Sequence, residues 1–167
     1  MTVSQSPEAV PPAVTEAIRQ SVVTTFESII GSRLNVITSE NGGGATDGVV
    51  GIIGLVGDLA FSVMLGFPRP TAPALVEKFT GFPVAYDSAD MGDMVGEFAN
   101  ILAGDLVARL DSKGIESNLS QPAVVRGSNV EMMLPQGQPW TRLRFASECG
   151  EFWVKIAFKR KLTIPAR

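Results

Sequence analysis

The chain has 167 residues with a formal net charge of −3, and 45% of them are apolar against 19% charged. That composition describes a packed globular chain of one domain's length and excludes an intrinsically disordered one. Histidine is absent and Cys149 is the only cysteine, which removes Ser/His/Asp triads, Cys/His nucleophile pairs, the common zinc constellations and any internal disulfide. Chemistry must rest on carboxylates, amides, hydroxyls or a borrowed metal. The lone thiol fits a reducing compartment, and the opening MTVSQSPEAVPP lacks the basic start and apolar core of a signal peptide. The longest apolar stretch, Val49 to Gly57, is far short of a membrane span. These features predict a cytoplasmic chain without membrane insertion.

In chain order, residues 1–12 read as a flexible leader closed by Pro11 and Pro12, and 13–167 as a single domain. Ala13 to Ile30 has apolar residues at helical spacing (Val14, Ile18, Val22, Phe26, Ile29, Ile30), with Gly31 where a C-terminal cap belongs. A short strand over Leu34 to Ser39 and a turn at Asn41-Gly42-Gly43-Gly44 follow. The glycine tract lacks the Gly-Lys-Ser/Thr of a phosphate cradle. Val49–Val56 and Phe61–Phe67 form a hairpin through Gly57-Asp58-Leu59-Ala60, with Phe61, Val63, Leu65 and Phe67 on one face. A short helix is predicted from Thr71 to Thr80, ending at Gly81.

The longest helix runs from about Ser88 to Asp111, capped by Asp87 or Ser88 and closed near Gly114. The last third reads as strands at Pro122–Arg126, Val130–Leu134, Leu143–Ser147 and Phe152–Phe158, the final pair joined by a turn at Glu148-Cys149-Gly150-Glu151. In the last strand Phe152, Val154, Ile156 and Phe158 face one way and Trp153, Lys155 and Lys159 the other, which predicts one covered and one partly wet sheet face. The order of elements is an α+β pattern with a mostly antiparallel sheet. The basic end Lys159-Arg160-Lys161 reads as an edge-protecting strand rather than a nucleic-acid contact, because the pI is near 5.0 and aromatic interleaving is missing.

On a helical wheel with Asp93 at zero, Met91, Met94, Val95, Phe98, Ile101, Leu102 and Leu106 fall between about 80° and 220°, an apolar face for the sheet. Opposite it Asp93, Glu97, Asn100, Gly104 and Asp111 share one ridge, with Glu97 and Asn100 about 4.5 Å apart along the axis. Gly92, Gly96 and Gly104 each cost roughly 1 kcal/mol against alanine in a helix interior. Tight packing accounts best for Gly92 and Gly96. Gly104, one turn beyond Asn100 on the ridge, removes a side chain where another molecule would approach, although tight packing would explain it equally well.

Glu-x-x-Asn on a wet helix face is ordinary by itself, but the wider spacing is not. The chain reads Asp93-x3-Glu97-x2-Asn100, then 21 residues, then Pro122, and average residue usage produces such a four-position match about once in several hundred chains of this size. It matches the (Asp/Ser)-x3-Glu-x2-Asn-x21-Pro pattern of the CheC/CheX/FliY chemotaxis phosphatases. Glu97-Phe-Ala-Asn100-Ile-Leu-Ala-Gly104 resembles that family's motif helix, Gly51-Ile-Ile-Gly54-Leu-Val-Gly57-Asp58 its first hairpin, and Pro122-Ala-Val-Val-Arg-Gly127 the strand after the helix. CheC-type members carry a second Glu-x-x-Asn in their first half. No other precedes residue 97 here, so the chain is most similar to the CheX branch.

The resemblance implies a CheC-like fold, two long helices packed on one face of the sheet, and a homodimer. It also implies a protein substrate, the aspartyl phosphate of a CheY-like response regulator. In that role Asn100 positions the attacking water and Glu97 ion-pairs with the regulator's active-site lysine. Mg²⁺ sits in the regulator's acidic pocket, and the chain needs no cofactor of its own. Asp93 supports the helix start and local field, Gly104 clears the approach, and Pro122 sets the strand lead-in. Two other readings stand beside this one: a docking module of the flagellar-switch type that binds a receiver without hydrolysis, and a self-sufficient Asp93/Glu97 carboxylate pair, which would require a pocket.

Overall fold

The computed structural model describes residues 10–40 and 46–159, apart from the side chains of residues 38–40. Its elements are α1 (Pro12–Ile30), β1 (Asn35–Glu40), β2 (Thr46–Gly57), β3 (Phe61–Pro68), α2 (Thr71–Thr80), α3 (Ala89–Asp111), β4 (Ser117–Leu119), β5 (Ala123–Val130), β6 (Trp140–Ser147) and β7 (Gly150–Phe158). The predicted leader through residue 9 and the glycine tract 41–44 lie outside the described residues. Pro12 belongs to the helix rather than to the leader. It occupies the first helical turn, where a missing N–H costs nothing because that N–H has no intrahelical acceptor.

All seven strands form one antiparallel sheet in the order β1-β6-β7-β3-β2-β4, with β5 also pairing with β2. The β2–β3 hairpin aligns Val49 with Phe67 and Leu55 with Phe61, so β3 lies on one edge of β2 while β4 and β5 share the other in succession. The three helices cover one sheet face. Phe26 of α1, Phe98 of α3, Phe67 of β3 and Phe152 of β7 meet there with ring centroids 4.7–6.0 Å apart. Aromatic packing of this kind adds about 0.5–1.5 kcal/mol per pair beyond the area buried.

The helix ends follow from local chemistry. Gly31 and Gly81 close α1 and α2 in the left-handed conformation that only glycine adopts without strain. Ser88, one of the two predicted caps, starts α3 by accepting the Met91 N–H at 3.2 Å on its hydroxyl.

The structure departs from expectation at three places. Val130–Leu134 is not a strand: β5 ends at Val130, and the chain from 131 to 139 crosses the sheet's outer face, laying Met132 and Leu134 on Val50, Met64 and Trp153. The centre of the outer face is therefore covered, while its rim stays wet as expected, with Val56 52% and Val125 41% exposed. Trp153 lies flat on Gly66, where a Cβ would sit 2.0 Å from the indole, and its N–H donates to Thr46 at 3.2 Å. Second, β4 joins the sheet without a sequence signal, because three residues are too few to show a period. Third, the last turn is confined to Glu148 and Cys149, since Gly150 already begins β7.

Candidate functional site

Helix α3 packs directly on the backbone of β2. A Cβ on Gly51 would stand 3.3 Å from Val95 and Ala99, so the helix rests on a glycine. Its fully buried residues include Gly96, Ala99 and Ala103 beside Met91, Val95, Phe98, Leu102 and Leu106, whereas Met94 and Ile101 are only half-buried. The buried face is thus turned toward the small residues, which permit the close approach.

The opposite ridge stays wet. Asp93, Glu97, Asn100, Gly104 and Asp111 are all exposed. Among the described residues none forms a hydrogen bond or ion pair with the side chains of Asp93, Glu97 or Asn100. Away from the ridge the charged groups do pair: Arg109 donates to Asp105 at 2.7 Å and to Thr24 of α1 at 2.9 Å. The unpaired ridge therefore includes the sequence motif, and Asp111 farther along it is also without a side-chain partner among the described residues. Asp93 and Glu97 sit in no desolvated pocket that would drive two carboxylates into separate acid and base roles.

The glycines divide differently from expectation. A Cβ on Gly96 would touch Val124 at 3.5 Å and Pro122 at 3.9 Å, an ordinary contact, while at Gly92 and Gly104 it would meet open space. Tight packing consequently explains neither Gly92 nor Gly104. At Gly104 the ridge next to Asn100 is left vacant. Nothing in the structure explains Gly92.

Pro122 comes to the same helix from the sheet. β4 covers Leu55 to Gly57 and β5 covers Thr46 to Ile52 along one edge of β2, so the ladder breaks opposite Ile53 and Gly54, where a proline's missing N–H does no harm. Ser120 seals the break: its hydroxyl accepts the Gly54 N–H at 2.8 Å, and its own N–H donates to the Gly54 carbonyl at 2.9 Å. Pro122 then lies on the flank of α3 at Gly96, one helical turn from Asn100. The structure brings all five predicted site residues to one helix and its neighbouring strand, with Pro122 beside the ridge rather than on it.

Sequence reasoning passed over Ser120 and Arg126. Ser120 leaves no signal, because its partner is a backbone group 66 residues away. Arg126 does leave one. Pro122, Val124 and Arg126 share a strand face by period two, and Arg126 reaches the lead-in to α3. The remaining reactive groups lie elsewhere. Burial pushes the Cys149 thiol above its ordinary range, with Glu148 adding to the effect. Burial also holds Lys155 below its ordinary range, where its ammonium stands 4.2 Å over Trp140 on the outer sheet face. Among the described residues no cluster of three His, Cys, Asp or Glu side chains could hold a metal, and no helix is long and apolar enough to cross a membrane.

Comparison with known proteins extends this geometry. The chain is similar in fold to the chemotaxis protein CheX from Desulfovibrio desulfuricans (TM-score 0.78, 20% identity, covering 87% of this chain and 99% of that one). It is likewise similar to a putative chemotaxis protein from Desulfovibrio vulgaris Hildenborough (TM-score 0.77, 24% identity, 91% and 100% covered). A third similar structure is the CheX-CheY-BeF3-Mg²⁺ complex from Borrelia burgdorferi (TM-score 0.75, 21% identity, 88% and 98% covered). A search of curated protein sequences finds no match. The sequence profile described as chemotaxis phosphatase CheX matches residues 49–146, a span that takes in the β2–β3 hairpin, α3 and β5, and on that match the chain belongs to the CheX family of chemotaxis phosphatases.

Proposed function

We propose that this protein hydrolyses the aspartyl phosphate of a CheY-like response regulator, with Asn100 positioning the water and Glu97 anchoring the partner. The observation that carries the proposal is the unpaired ridge: Glu97 and Asn100 stand exposed, one turn apart, on a buried and well-packed helix. The Borrelia relative is in complex with CheY, BeF3 and Mg²⁺. Trifluoroberyllate stands in for a phosphoryl group, which supports a phosphorylated receiver as the partner and agrees with a metal held on the partner's side.

The chemistry demands little of the helper. Water attacks phosphorus, the bond to the acyl oxygen breaks, and the regulator's carboxylate and inorganic phosphate separate. Because bond breaking leads in such transfers, catalysis is mostly placement of the water and neutralisation of charge. A carboxamide is suited to both, since its oxygen accepts a hydrogen bond from the water while its NH₂ donates to a phosphoryl oxygen. Glu97 adds an ion pair to the regulator's lysine, which fixes the ridge over the phosphate. Asp93 contributes field one turn before Glu97, Gly104 leaves room for the receiver's surface, and Pro122 buttresses the helix at Gly96.

The test is phosphate release from a phosphorylated CheY-like receiver with Mg²⁺, with and without this protein, beside the Asn100→Ala variant. Acceleration by the wild type that vanishes in the variant is expected. Undiminished acceleration by Asn100→Ala would refute the role of that amide. Binding without acceleration would instead identify a docking module.

A further inference from the structure

The flank of α3 is tracked by three alternate residues on the helix side of β5 and its lead-in, of which Pro122 and Val124 are half-buried and Arg126 is exposed. Pro122 and Val124 stand against Gly96. Arg126, two residues on, donates from one guanidinium nitrogen to the carbonyls of Tyr86 at 2.9 Å and Ser88 at 2.7 Å, and from the other to Asp87 at 3.1 Å. Those three carbonyls belong to the residues immediately before α3, Ser88 being its N-cap. The two spacings agree. The four residue steps from 122 to 126 span about 13 Å of extended chain, and the eight steps from Ser88 to Gly96 span about 12 Å of helix.

The strand is itself held. β5 pairs with β2 at Val49↔Arg126 through Ile52↔Ala123, and Ser120 pins its lead-in on Gly54. Tyr86 completes the arrangement: its ring lies under the Arg69 guanidinium at 4.3 Å and beside that of Arg126 at 5.9 Å, with its hydroxyl buried. Hydrogen bonds made by a charged donor are roughly twice as strong as neutral ones, and a guanidinium presents several N–H groups in a fixed fork that an ammonium lacks.

We infer that Arg126 is a positioning residue for the motif: by gripping the three carbonyls ahead of α3 it sets the axial position of the helix, and with it the placement of Asn100 over the phosphate. It touches no reacting atom. The inference rests on the proposed phosphatase reading and deepens it. A helix that slides or frays at its start displaces Asn100 by a fraction of a turn, and misplacement of about 1 Å can cost 10²-fold in rate. Binding through Glu97 tolerates more, because an exposed ion pair adjusts by rotamer.

The experiment compares wild type, Arg126→Ala, Arg126→Lys and Asn100→Ala at a temperature where each is folded. It measures kcat and KM for phosphate release from a phosphorylated receiver, together with hydrogen exchange of the Gly92 to Gly96 amides. Arg126→Ala is expected to lower kcat about tenfold with KM changed less than about threefold, and to speed exchange of those amides. Lysine should restore only part of kcat, since an ammonium cannot span the three carbonyls. Exchange unchanged in Arg126→Ala would overturn the inference. A raised KM with unchanged kcat would overturn it too, making Arg126 a direct contact to the regulator. If wild type itself fails to accelerate release, the phosphatase reading falls, and faster exchange in Arg126→Ala would still establish the grip on the helix.

Discussion

Helices α1 and α3 lie side by side on the same sheet face, share the Phe26–Phe98 contact at 5.8 Å, and differ in what they leave outside. On α1 the solvent side is closed on itself: Glu16 is bound by Arg19 through both guanidinium contacts and by Gln20 at 2.9 Å, and no glycine interrupts Pro12 to Ile30. On α3 three glycines interrupt the helix, and the side chains of Asp93, Glu97 and Asn100 have no partner among the described residues. A charged helix face is therefore not the sign of a site. The sign is a stretch of polar groups that the chain itself declines to pair, on a helix whose other face is fully packed, at some cost in helix propensity.

The comparison breaks first if the buried faces are not equivalent. Phe26→Ala and Phe98→Ala should each destabilise by about 3–5 kcal/mol in denaturant unfolding; a much smaller loss for either would mean that its helix is not part of the common core. Next comes the outer side. Asn100→Ala should slow regulator dephosphorylation about 100-fold while leaving affinity within a few fold, whereas alanine at Gln20, an exposed amide on α1, should leave the rate unchanged.

Smaller effects sharpen the contrast. Glu97→Ala should weaken regulator binding about tenfold, the scale of one hydrogen-bonded ion pair. Glu16→Ala should change neither binding nor turnover in the same titration, because its partners are Arg19 and Gln20 of its own helix. Smallest is Gly104. Replacement by alanine should raise stability by up to about 1 kcal/mol in thermal melting, since a Cβ there meets open space. Replacement by tryptophan should keep the fold and weaken the regulator complex; unaltered binding would show that the ridge is not approached at that point.

Much of this architecture was legible because periodic, well-capped segments carry their own instructions. Thr71–Thr80 and Phe61–Phe67 were readable from apolar period and a terminal glycine or proline, and the structure reproduces both to within one residue. Val130–Leu134 misled because Val130, Met132 and Leu134 alternate as a strand does. In the fold Met132 and Leu134 face a sheet from outside it, and burial against a face imposes the same alternation as pairing within one. The close contact of α3 with the sheet depended on Gly51, and no local pattern announces that a glycine in a strand is there for a helix.

The Asp93, Glu97, Asn100, Gly104 and Pro122 spacing was visible in the sequence by itself, because a helical repeat puts residues three and four apart on one ridge whatever the rest of the chain does. Fold class and the exclusion of histidine and disulfide chemistry were equally determined there. Only the tertiary structure decided that the ridge stays unpaired, that Gly104 opens on space while Gly96 meets Val124, and that Arg126 grips the carbonyls ahead of the helix. Those outcomes depend on contacts between groups 28 to 40 residues apart, and chain periodicity extends over a few turns at most.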